Sequence, residues 1–119
     1  MHEMSIAQSL LEITQQEMSK NQVQTLQEVK VQVGELSSVV PSALEFAFQS
    51  LIQDSEHHQA KLVLEMVPVQ LCCSSCDHVY QPELEQGLLL QMCCPECGSS
   101  QGQNIIQGRE LQIEHILAE

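Results

Sequence analysis

At 119 residues the chain is the size of one domain, or of one domain carrying an insert, and its 43% apolar content suits a globular core. Sixteen acidic residues against four basic ones give a formal charge of -12, which leaves no basic footprint for nucleic acid and disfavours anionic membrane surfaces. No apolar run reaches the length of a membrane span, and with no Trp, one Tyr and two Phe the core must come from Leu, Ile, Val, Met and Ala.

The opening Met1-His2-Glu3-Met4 has neither a basic segment nor a cleavage site, so it does not read as a secretory signal. Residues 4 to 19 predict a helix. Met4, Ala7, Leu11, Thr14 and Met18 fall at helical spacing, Ile6, Leu10 and Ile13 widen the stripe, and Asn21 is a stop. Residues 26 to 33 change to period two: Val29, Val31 and Val33 alternate with Lys30 and Gln32, as in a half-buried strand, and Gly34 ends it. A second helix starts near Pro41, where Ser42 and Glu45 have capping-box spacing, and runs through Leu44, Ala47, Phe48, Leu51 and Ile52. Gln53 to Gln59 reads as a polar, solvated turn, with a weak second metal site as the alternative for His57 and His58. Lys61 to Val69 is a second strand, apolar on both faces and so suited to the centre of a sheet, with Pro68 marking its end. Residues 70 to 107 hold all six cysteines and lose periodicity, and 98 to 104 is loop by content. Glu110 to Ile116 alternates again as a third strand and carries His115.

This order predicts an α+β fold: two helices on a three-stranded mixed sheet with an inserted four-cysteine, zinc-ribbon-like module. The first strand–helix–strand unit should be a right-handed parallel crossover. The third strand returns antiparallel. The main domain is then discontinuous, residues 1–69 and 108–119, and residues 70–107 form the inserted module.

The cysteines carry the strongest chemical signal. Cys73-Ser74-Ser75-Cys76 and Cys94-Pro95-Glu96-Cys97 are two C-x-x-C turns with 17 residues between them. Each turn points two thiolates at one ion, and two turns close a tetrahedron, the arrangement of a structural zinc site. Zinc is the first choice of metal; an iron–sulfur centre uses the same ligand type, and a redox C-x-x-C needs one pair rather than two. A closed four-thiolate site has no open coordination position, so it serves folding and not catalysis. Cys72 and Cys93 precede the pairs by one residue and read as spare thiols, with exchange into the site as the alternative. His78, two residues after Cys76, is either a loop histidine or a partner of the site. Six cysteines without an export signal fit a reducing cytosol and metal ligation rather than disulfides.

The second signal is the N-terminus. A free α-amine at Met1, an amide nitrogen and the His2 ring chelate one ion with closely spaced nitrogens, and the Glu3 amide offers a fourth. A planar nitrogen set suits Ni(II) or Cu(II), and the Glu3 carboxylate adds an oxygen ligand or a negative charge.

Taken together, these features resemble the HypA/HybF family of hydrogenase-maturation nickel metallochaperones. The resemblance spans nearly the whole chain: Met1-His2-Glu3-Met4-Ser5, Val33-Gly34-Glu35-Leu36, Leu44-Glu45-Phe46-Ala47-Phe48, both cysteine pairs with Cys94-Pro95-Glu96-Cys97-Gly98, and the closing strand. It implies a cytoplasmic, non-enzymatic carrier of Ni(II), bound through His2 and backbone nitrogens near Met1 with Glu3 in support. Structural Zn(II) would sit on Cys73, Cys76, Cys94 and Cys97. The partners it implies are a nickel-handling maturation GTPase, the [NiFe]-hydrogenase large subunit and, in some bacteria, urease maturation proteins. The expected state is a monomer or weak homodimer that binds neither nucleic acid nor membrane. Cys72 and Cys93 are additional to the family's usual four cysteines. His78 matches a position that some urease-supplying members use, and Gly98 stands where a second histidine would follow the last cysteine. The alternative function is a zinc-ribbon adaptor that contacts proteins without delivering nickel, which would have no need of His2. No carboxylate pair, Ser/His/Asp order or phosphate-binding glycine loop points to an enzyme.

Overall fold

The computed structural model describes residues 3–82, 84–85, 88–89, 93–99 and 102–119. In chain order these form α1 (Glu3–Lys20), β1 (Leu26–Gly34), α2 (Pro41–Ile52), β2 (Lys61–Val67), β3 (Gln70–Cys73), β4 (Val79–Tyr80), β5 (Leu84–Glu85), β6 (Leu88–Leu89), β7 (Gln103–Gln107) and β8 (Leu111–Ala118). The sheets have the orders β2-β1-β8, β4-β3-β7 and β5-β6. The fold is α+β, as expected. Residues 1–32, 39–65 and 112–119 make one compact unit, and 33–38 with 66–111 make another.

In the first unit, α1 buries Glu3, Ala7, Leu10, Thr14 and Met18. These positions share one face of a 3.6-residue helix. Met4 and Ile13, about a quarter-turn to either side, are exposed, so the inward stripe is narrower than the composition suggests. The buried Thr14 hydroxyl is satisfied by the Leu10 carbonyl, at 2.7 Å. The helix stops in a paired-carbonyl cap: Gln22 takes a left-handed φ of 58, its N–H reaches the Ser19 carbonyl, and the Val23 N–H reaches that of Met18 at 3.1 Å. Asn21 reinforces the stop, its side-chain amide donating to the Glu17 carbonyl at 2.8 Å.

The second helix begins where proline favours it, but the capping box is not used. The cap residue is Val40, in extended backbone without a side-chain cap, and Pro41 follows it. Ser42 therefore lies inside the first turn, and Glu45 beyond it. The anion at this helix start comes instead from α1: the Glu3 carboxylate accepts the Val40 N–H at 3.1 Å. Leu44, Ala47, Phe48 and Ile52 face the core, while Phe46 is 74% exposed.

Strand β1 lies in the middle of its sheet. Val29, Val31 and Val33 are fully buried, each contributing about 1.5–3 kcal/mol relative to an exposed side chain. Thr25 and Glu119 exchange both backbone hydrogen bonds, at 2.8 and 2.9 Å, so β8 runs antiparallel to β1. Towards β2, contacts advance in the same direction along both strands, from Gln32–Glu65 to Glu35–Val67, as in a parallel pair. The expectation of a central second strand is corrected: β2 lies at an edge. Val63 and Met66 are exposed apolar residues and do not mark a second covered face. The side that carries Val63 and Glu65 is polar at its centre, where Lys30 bridges Glu65 at 3.0 Å and Glu114 at 3.4 Å. Those two carboxylates raise the Lys30 pKa, and Lys30 lowers that of Glu65.

The turn after α2 also departs from expectation. His57 is buried and not solvated. Successive turns order the segment, with the Ser55 hydroxyl accepting the His57 N–H at 3.0 Å and the Ala60 N–H returning to the His57 carbonyl at 2.8 Å. They turn His57 inward and leave His58 exposed, so the two rings form no common metal site. His57 Nδ1 accepts the Leu26 N–H at 3.2 Å, across 31 residues of sequence, which assigns the ring proton to Nε2. His57→Ala should therefore lose about 1–3 kcal/mol, because it strands the Leu26 N–H. His57→Asn, whose Oδ1 takes the place of Nδ1, should recover most of that loss. Denaturant midpoints and exchange protection at Leu26 are the measurements. Equal loss in both variants would show that the hydrogen bond is not what the histidine supplies.

The second unit has a small core of Val69, Leu71, Cys73, Tyr80 and Cys94, with Leu36 and Ile105 against it. Strand β3 pairs antiparallel with β4 (Leu71↔Tyr80, Cys72↔Val79) and with β7 (Leu71↔Ile105, Cys72↔Asn104, Cys73↔Gln103). Gln103, expected in a loop, thus begins a strand. Residues 33–38 are stitched to this unit. The Gly34 N–H donates to the Glu110 carbonyl and the Leu36 N–H to that of Gly108, both at 2.7 Å. The Glu35 carboxylate accepts the Val69 N–H at 2.9 Å, and the Glu110 carboxylate accepts the Gly108 N–H at 2.7 Å. The backbones pass so closely that a β-carbon on Gly34 would run into the Gly108 carbonyl and lie 2.6 Å from Arg109 N.

Candidate metal centres

The two C-x-x-C turns have the same internal wiring. In the first, the Cys73 N–H donates to the His78 carbonyl at 2.9 Å and the Asp77 N–H to the Cys73 carbonyl at 2.8 Å; in the second, Cys94 N–H to Ser99 and Gly98 N–H to Cys94, both at 2.9 Å. Each closes on a left-handed residue, Asp77 at φ 60 and Gly98 at φ 77. The wiring turns both sulfurs of each pair to one side. The four Sγ atoms lie within 4.8 Å of one another, with Cys73–Cys97 and Cys76–Cys94 each at 3.5 Å. A zinc tetrathiolate with Zn–S of about 2.3 Å has sulfurs about 3.8 Å apart, so this donor set fits the ion in number, softness and spacing.

The protonation of the four thiols reflects their crowding. Burial pushes the Cys73 thiol up, but the N–H groups of Ser75 and Cys76 and the Gln103 amide outweigh it and bring it to about 6. The His78 N–H favours the Cys76 thiolate, yet burial and the sulfurs of Cys94, Cys97 and Cys73 push it up to about 12. Cys97, despite an N–H from Ser99, is raised by the Cys73 sulfur and by burial. Sulfurs this close share their protons until a divalent cation replaces them. Burial and the neighbouring sulfurs also raise Tyr80.

Cys72, half-buried, and Cys93, exposed, are free thiols outside the cluster. The His78 ring is not among the clustered donors; it stacks on Tyr80 with centroids 6.1 Å apart. The residue that sequence reasoning missed is Gln103, whose Nε2 reaches Cys73 Sγ at 3.6 Å. Its signal is register, since it stands directly across from Cys73, but that requires knowing that a strand begins there.

Of the expected nickel ligands, Met1 and His2 lie outside the described residues, and Glu3 is placed. Glu3 is buried at the start of α1. Hydrogen bonding, that from the Val40 N–H included, holds its carboxyl down to about 2. It is therefore an anion across the physiological range, positioned for a cationic neighbour. His115 pairs with Glu28 at 2.9 Å on the exposed sheet.

A family model described as hydrogenase/urease nickel incorporation, metallochaperone, hypA matches residues 1–118. The chain is similar to the hydrogenase maturation factor HypA of Lawsonia intracellularis, 41% identical over 119 residues and covering 100% of both chains. It is 44% identical over 116 residues to that of Solidesulfovibrio magneticus, covering 98% of this chain and 97% of the relative. It also matches the solution structure of the Ni metallochaperone HypA from Helicobacter pylori with a TM-score of 0.65 and 30% identity, over 100% of each chain. The chain belongs to the HypA family of hydrogenase and urease nickel-incorporation metallochaperones.

Proposed function

We propose that this protein, a maturation factor and not an enzyme, carries Ni(II) at its N-terminus and delivers it to the [NiFe]-hydrogenase large subunit. The α-amine of Met1 and the ring and backbone nitrogens of His2 would hold the ion, with Glu3 in support. The observation that carries the reading is the closed four-sulfur cluster. Its donors face one another within 4.8 Å, so an ion held there has no free position and resists hand-over. A cargo ion needs a more open site, and the Glu3 carboxylate, an anion across the physiological range, would supply charge for one at the start of α1. Zinc on Cys73, Cys76, Cys94 and Cys97 would staple residues 70–107 into shape, and residues 1–69 with 108–119 would form the nickel-carrying domain. A nickel-handling GTPase, and urease maturation proteins where the organism has them, are the further partners. A cytoplasmic location agrees with the lack, among the described residues, of any helix long and apolar enough to cross a membrane.

The test is Ni(II) binding by the native chain and by His2→Ala, with zinc measured in both. The variant should lose at least about tenfold in nickel affinity, a difference of about 1.4 kcal/mol, with zinc unchanged at one per chain. Undiminished nickel binding would remove the N-terminal site and favour a protein-binding adaptor.

A further inference from the structure

We propose that Gln103 is the positioning residue of the four-cysteine centre, clamping its two halves together through one side-chain amide. The halves are separated by 17 residues of sequence, and no disulfide joins them. Gln103 Nε2 donates to Cys73 Sγ, in the first turn, at 3.6 Å. The same nitrogen donates to the Ser99 carbonyl, which closes the second turn, at 2.9 Å. The two N–H bonds of the amide thus serve one half-site each. Ser99 is well placed to transmit the restraint, because its carbonyl also accepts the Cys94 N–H at 2.9 Å.

The orientation of the amide is fixed from its other end. The buried Tyr80 hydroxyl donates to Gln103 Oε1 at 3.1 Å, and a flipped amide would turn its oxygen toward a thiolate and a carbonyl, which donate nothing. Tyr80 and Gln103 come from β4 and β7, the two neighbours of β3, which carries Cys73. The sheet therefore delivers the clamp by register. Hydrogen bonds to a ligand atom orient it and tune the metal it holds, and their loss typically costs about 10–100-fold in metal affinity. The clamp makes Cys73 the least exchangeable of the four ligands and slows metal release.

The experiment uses the full chain loaded with zinc, and in parallel with Co(II). Zinc release to excess chelator should be about 10–100-fold faster in Gln103→Leu, which keeps the bulk but has no donors, and faster again in Gln103→Glu, which sets a carboxylate beside the thiolate. Tyr80→Phe should accelerate release less, in the same direction. Alkylation of the released thiols, followed by mass spectrometry, should find Cys73 the last to react in the native chain but not in Gln103→Leu. The thiolate-to-cobalt charge-transfer bands should shift in Gln103→Leu, a change that loosened packing alone does not produce. Native release rates and bands in Gln103→Leu overturn the proposal. Should that variant fail to fold, native behaviour of Tyr80→Phe overturns it equally. The inference rests on zinc occupying the cysteine cluster: a native chain that takes up neither zinc nor Co(II) defeats that reading, whereas uptake with unchanged release defeats only the role of Gln103.

Discussion

Cys73→Ser should cost the protein its zinc and, with it, the β4-β3-β7 sheet, while α1 and α2 stay helical. Among the described residues the core of that unit is Val69, Leu71, Cys73, Tyr80 and Cys94, few apolar side chains to offset the entropy of ordering the unit. Two of the five are themselves cluster cysteines. In small finger peptides zinc contributes about 10–16 kcal/mol at neutral pH, more than most whole domains have in reserve. Serine keeps the size of the side chain but supplies no soft thiolate, so loss of structure would report the metal and not a cavity. Metal content, helical circular dichroism and amide exchange along β3 and β7 are the measurements. Full zinc with native exchange protection in Cys73→Ser would show that the cluster is not the staple.

Gly34→Ala should be the most damaging substitution away from the cysteines, at about 3 kcal/mol or more. Gly34 does not occupy a left-handed conformation, so it is required for space alone. The added methyl would meet the Gly108 carbonyl, a backbone atom that cannot swing aside as a side chain would. Relief requires the two backbones to separate, which breaks the Gly34–Glu110 and Leu36–Gly108 bonds. Gly98 is the contrasting control: its β-carbon would stand in open space, but its φ of +77 is left-handed, so Gly98→Ala should cost about 1–2 kcal/mol. Denaturation of the zinc-loaded variants compares them. Should Gly34→Ala lose no more than Gly98→Ala, close approach is not the reason for the glycine.

Much of this architecture is legible in the residues because it is set by short-range rules. The valine alternation at 29, 31 and 33, the helical stripe of α2 and the paired C-x-x-C spacing each reflect geometry repeated over a few residues. What was not legible depends on neighbours distant in sequence. The apolar residues of β2 do not reveal that β1 takes the centre of the sheet. The polar stretch around His57 does not reveal that Leu26, 31 residues away, needs an acceptor. Ser42 and Glu45 have the spacing of a cap, but Pro41 starts the helix one residue earlier and Glu3 brings the anion from another element. Gln103 is one of many glutamines until register sets it opposite Cys73. Of the proposed nickel ligands Met1, His2 and Glu3, named by the sequence and its resemblance, only Glu3 is among the described residues, at the start of α1.

The matched wiring of the two cysteine turns has a consequence for the order of events in metal capture. The backbone hydrogen bonds that close each turn are local in sequence, so each half-site can form as a two-sulfur chelate before the Gln103 clamp is in place. What remains is to bring the second chelate to the first, closing the 17-residue stretch between Cys76 and Cys94. That closure also brings β7 alongside β3, because Cys73 faces Gln103 in the same ladder. Completion of the coordination sphere and zippering of the sheet are then one cooperative step. The length of that stretch enters through closure entropy, which rises by about 0.6 kcal/mol for each doubling, whereas its Asp77, His78 and Tyr80 are tied to the first turn and to Gln103, so its length is freer to change than those three residues.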